Sequence, residues 1–101
     1  MSTVNGMSTA VPVTTRYLVE WYRPNLTRQL IDQMVADLEE GTTILRGEGS
    51  QVLLIMTVAV PTDEVLYGVF EADSRELVWT ACERAGSIPE RMSVDIDART
   101  F

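Results

Sequence analysis

Glu20 lies at the centre of RYLVEWYRP, residues 16–24, and Asp95 lies in the alternating stretch RMSVDID, residues 91–97. Both carboxylates sit in segments of strand character. If the two strands are neighbours and enclose a partly dry space, the two charges push one proton affinity upward, and one of them can act as a general acid or base. The plainer reading pairs Glu20 with Arg16, Arg23 or Arg91, or leaves it in water. Tyr22 and Tyr67 would then orient a substrate or line a pocket beside Trp21; strand aromatics equally serve as core or interface.

Asp95 and Asp97 beside Ser93 could hold a hard cation through oxygens, but the spacing is ordinary strand alternation and fits a solvated strand face equally well. Trp79 falls off the apolar stripe of its helix, so it is expected to be partly exposed, as a partner contact or ligand lid or as a cover for the chain end near Phe101. Cys82 falls on that stripe, where a thiol is inert packing.

The chain has no histidine and no lysine; its eight basic residues are all arginine. Imidazole bases, Ser-His and Cys-His pairs and most transition-metal sites are therefore closed to it, and so is Schiff-base chemistry. No cofactor and no metal is expected. A net charge of −7 without any basic run argues against nucleic acid or an anionic membrane surface and leaves neutral, cationic or apolar partners. With 101 residues, 46% of them hydrophobic, there is material for one small domain. A single cysteine excludes an intrachain disulfide and fits a reducing compartment. No apolar run reaches membrane-spanning length, and residues 1–14 lack the marks of a secretion signal. These features predict a cytoplasmic protein with a flexible N-terminal tail over 1–14, a domain over 15–98 and a short C-terminal tail over 99–101.

Thr15 to Tyr22 has the β-branched and aromatic content of a strand and ends at Pro24. Leu30, Ile31, Met34, Val35 and Leu38 then repeat at helical period, with Thr27 as N-cap and Gly41 as the stop. TTILRGEGSQ, 42–51, reads as loop with at most a short edge strand. The continuous apolar run 51–61 turns through PTDE into a strand over 64–72, a hairpin whose first strand should be buried on both faces. Asp73 or Ser74 caps a second helix with the stripe Leu77, Val78, Ala81, Cys82 and Ala85, closed by Gly86 and Pro89. A last strand runs from Arg91 to Asp97 with Met92, Val94 and Ile96 on one side.

The order β-α-β-β-α-β predicts an α+β ferredoxin-like sandwich, a four-stranded antiparallel sheet with both helices on one face. The other face is left bare and carries Leu18, Glu20 and Tyr22. Its area of several hundred Å² matches the largest apolar patch a monomer normally shows, about 300–600 Å², so a second chain is expected to cover it as a dimeric α/β barrel.

RYLVEWYRPNLT, VPTDEVLYGVFEADS and VWTACERAGSIPERM resemble, in order and spacing, a small ferredoxin-like family of unknown function that includes a nickel-binding bacterial protein. The resemblance covers about residues 16–97. It implies a dimeric α/β-barrel assembly and, in some members, a metal held by side chains including histidine, a residue absent from this chain. Two functions follow. The first is a non-catalytic homodimer that binds a small apolar or cationic ligand or a protein partner through Tyr22, Tyr67 and Trp79. The alternative is a cofactor-free isomerase, lyase or monooxygenase in which Glu20 or Asp95 moves a proton.

Overall fold

The computed structural model describes residues 14–101. The 1–14 tail lies, but for Thr14, outside the described residues. Four strands, β1 (Thr15–Tyr22), β2 (Val52–Val60), β3 (Val65–Ala72) and β4 (Arg91–Val94), and two helices, α1 (Arg28–Gly47) and α2 (Arg75–Arg84), follow in the order β1-α1-β2-β3-α2-β4. The sheet order is β2-β3-β1-β4 and every pairing is antiparallel. This is the ferredoxin-like α+β sandwich.

β1 is central because it is apolar on the side that the helices cover: Tyr17, Val19 and Trp21 are all buried. Across it on β3 stand Phe70, Gly68 and Leu66. The Trp21 ring lies over Gly68, where an added Cβ would sit 2.9 Å from ring carbon Cζ3. It meets Phe70 edge to face at 6.4 Å and donates its indole N–H to the Ser87 carbonyl at 2.8 Å. Buried tryptophan needs such an acceptor, and the loop after α2 supplies it.

The first helix is longer than its sequence suggests. Thr27 caps it as expected, its hydroxyl accepting from the Leu30 amide at 3.1 Å, but Gly41 does not end it. α1 runs on through Gly47, so residues 42–47 are helix, and no strand forms over 42–51. Thr42 and Leu45 carry the buried stripe onward. Gly41 serves the crossing with α2, where a Cβ would come within 3.1 Å of the Ala81 carbonyl oxygen. The true stop is Gly49, at φ +93°, with the Ser50 amide bonded back to the Leu45 carbonyl at 3.0 Å.

The other boundaries shift less. Ser74 rather than Asp73 caps α2, accepting from the Leu77 amide. β4 ends at Val94, three residues short of Asp97, because Asp95 takes the left-handed conformation at φ +59° and leaves the pleat. β2 is an edge strand and is not buried on both faces of this chain. A bulge at Ile55 divides it, leaving Val52, Leu54, Thr57 and Ala59 on the helix side and Leu53, Met56, Val58 and Val60 on the other.

Candidate functional site

The face without helices is organised by register. Arg91 of β4 stands opposite Glu20 of β1, Glu20 opposite Tyr67 of β3, and Tyr67 opposite Val58 of β2. The four residues therefore form one line across the whole sheet. A parallel line runs Ser93, Leu18, Val69, Met56. Both lines begin polar at the β4 edge and end apolar at the β2 edge. Near the far end of the face, Arg16 pairs with Glu71 at 3.2 Å and donates to the Ala98 carbonyl at 2.6 Å.

Glu20 is the pivot, only 7% exposed although it lies on the bare face. Tyr22, two residues on and therefore on the same side, donates its phenol O–H to Glu20 Oε1 at 2.5 Å. Oε2 faces Arg91 Nε at 3.6 Å. A carboxylate this buried needs such partners, and here both oxygens have one. The bond to Glu20 is the chief cause that raises the Tyr22 phenol above its ordinary pKa, with desolvation and the Glu20 charge adding to it. Tyr22 therefore holds its proton throughout the neutral range and serves as a hydrogen-bond donor.

Glu20, Tyr22 and Tyr67 thus come together, whereas two other candidates do not join them. Asp95 lies four residues beyond Arg91, about 13 Å along a strand, and its turned backbone removes it from the pleat; the pair of carboxylates foreseen for proton transfer does not form. Trp79 is on α2, on the opposite side of the sheet, where it borders a shallow hollow with Arg75, Glu76, Thr80 and Met92. It is 41% exposed, and Phe101 lies fully in solvent, so it does not cover the chain end. Trp21 belongs to the core.

Asp97 is bonded to Arg99 at 2.9 and 3.0 Å, and this guanidinium holds its carboxyl below the usual carboxylate range. Cys82 is fully buried, and burial pushes its thiol up to about 12. Among the described residues no three of His, Cys, Asp and Glu converge as a metal site. The side chains present do not fit the histidine-bearing site implied by the family resemblance: at the second strand, Met56 lies on the bare face and Thr57 on the helix side. Arg91 was foreseen only as one of three partners for Glu20. Its place in the line was signalled by the alternation of RMSVDID, which puts it on the side of Ser93, away from Met92, which packs against the core.

No family model and no curated protein matches the chain. Among solved structures, the crystal structure of SCO4226 from Streptomyces coelicolor A3(2) is similar, with a TM-score of 0.67 at 16% identity, over 84% of this chain and 99% of that one. At that identity the likeness concerns the fold alone, and it supports the ferredoxin-like topology. Among the described residues no helix is long and apolar enough to cross a membrane.

Proposed function

We propose that the chain is a homodimeric, non-catalytic binding module in which the bare faces of two copies pack sheet to sheet, as a dimeric α/β barrel, and hold a small ligand between them. The observation that carries this reading is the outer side of β2, where Leu53, Met56 and Val58 are 42%, 38% and 48% exposed. They flank Val65 and Val69 of β3, which lie on the same side and are buried. Each face is apolar along β2, mixed on β3 where Val65 and Val69 alternate with Tyr67 and Glu71, and more polar on β1 and β4. A two-fold axis can set like part on like part, the self-complementarity that an isologous dimer needs.

Covering the exposed β2 side chains of each copy contributes several kcal/mol at about 25 cal/mol per Å² of apolar area, which offsets part of the association cost of about 4–15 kcal/mol; the fit of the two faces supplies the rest. The alternative, an isomerase, lyase or monooxygenase with a barrel carboxylate as acid or base, needs a Glu20 oxygen free to take a proton. Both oxygens are engaged, which favours binding over catalysis. A cytoplasmic setting accompanies this reading, and the single buried thiol suits it.

Sedimentation velocity at tens of micromolar tests the proposal. The expected species has about twice the 11.3 kDa chain mass, and Val58→Asp is expected to sediment as a folded monomer with unchanged circular dichroism. A wild-type protein that runs as a lone chain overturns it.

A further inference from the structure

The open valence of the bare face is a cation. Arg16 is satisfied by Glu71 and the Ala98 carbonyl, and Glu20 by the Tyr22 phenol. The Arg91 side chain is 69% exposed and meets Glu20 only through Nε, at 3.6 Å. Among the described residues, its two terminal nitrogens make no hydrogen bond. Once a second copy covers this face, that guanidinium leaves water with the four N–H donors of its terminal nitrogens unmet, a state that costs several kcal/mol unless an anion completes it. From Arg91 the register line passes Glu20 and Tyr67 to Val58, three strand spacings or about 14 Å, the length of an extended chain of roughly ten carbons.

We infer that the space between the bare faces of two copies takes an apolar monocarboxylate, a fatty or aryl acid, with its carboxylate on the Arg91 guanidinium and its hydrocarbon along the line from Tyr67 to Val58. The inference rests on the dimeric reading above and sharpens it: the ligand is anion-headed despite the net charge of −7 and the Glu20 carboxylate beside Arg91, because Glu20 is met by the Tyr22 phenol and by the Nε side of the guanidinium, which leaves the terminal fork to the ligand, while the distant surface charges are screened. A guanidinium fork matches a carboxylate in two parallel bonds, a geometry that neither an alcohol nor an amine can return.

Titration calorimetry of the purified full chain with decanoate, decanol and decylamine, with oligomeric state followed in parallel by sedimentation, tests the assignment. Decanoate is expected to bind at least about tenfold tighter than either of the others, the scale of a charge-assisted pair. Arg91→Gln is expected to abolish that preference while leaving decanol binding and the dimer unchanged. From hexanoate to decanoate, affinity should rise by up to about fourfold per methylene and then level off as the line is filled. A dimer indifferent to the head group, one that prefers decylamine, or an Arg91→Gln dimer that keeps the preference overturns the assignment and leaves the dimer standing. A monomer that binds none of the three overturns both.

Discussion

The two sides of β1 meet opposite fates although they alternate along the same eight residues. Tyr17, Val19 and Trp21 face the helices and disappear completely into the core. Leu18, Glu20 and Tyr22 face away, and there a carboxylate survives with 7% exposure while the tyrosine beside it keeps 46%. The helix side is closed by shape, with a ring fitted over a glycine and an indole pinned to a carbonyl. The bare side is closed only in part, by ion pairs and one phenol, and its apolar β2 residues Leu53, Met56 and Val58 stay exposed. A single strand can therefore be finished structure on one side and an unfinished surface on the other, and function is to be sought on the unfinished one.

Truncating both sides should separate them most sharply. Trp21→Ala removes the largest buried ring and orphans the Ser87 carbonyl, and is expected to lower unfolding stability by about 4 kcal/mol. Val58→Ala, on the bare side, should lower it by less than about 0.5 kcal/mol in a single chain. Urea denaturation at low protein concentration measures both, and equal losses would erase the distinction. Next comes the close approach on the helix side: Gly68→Ala places a methyl 2.9 Å from the Trp21 ring. That ring is held by its hydrogen bond and cannot swing away, so a loss of about 1–3 kcal/mol is expected in the same experiment.

The smallest effect probes the bare side. Tyr22 has a raised pKa, so its bond to Glu20 contributes stability in full below the ordinary phenol value of 10.0 and loses it as pH rises through the higher folded value. Ultraviolet titration should show one phenol ionising late, and Glu20→Gln should return it towards 10.0. A late phenol that persists in Glu20→Gln would mean that Glu20 is not its cause.

Much of this was legible in local pattern. The alternation in RYLVEWY separates core from bare face, the Thr27 cap lies where spacing puts it, and the inert setting of Cys82 follows from its stripe. The misreadings share one physical origin. Gly41 looks like a stop because glycine favours helix ends, yet α2 packs so closely there that the missing Cβ is what the crossing requires. Asp95 looks like the next outward residue of β4, but the strand has no neighbour beyond β1 to hold it in the pleat, and a left-handed aspartate ends it.

By itself the sequence determined which chemistry is closed, since a chain without histidine or lysine cannot acquire their reactions by folding. It determined the order of elements as well, because periods of two and of three to four residues are written within each segment. Only the tertiary structure decided which residues share a line across the sheet. Register is a relation between segments far apart in the chain, and Arg91, Glu20, Tyr67 and Val58 become neighbours only when four strands align. It also sent Trp79 to the far side, because a helix rotates to bury its stripe and carries every other residue with it.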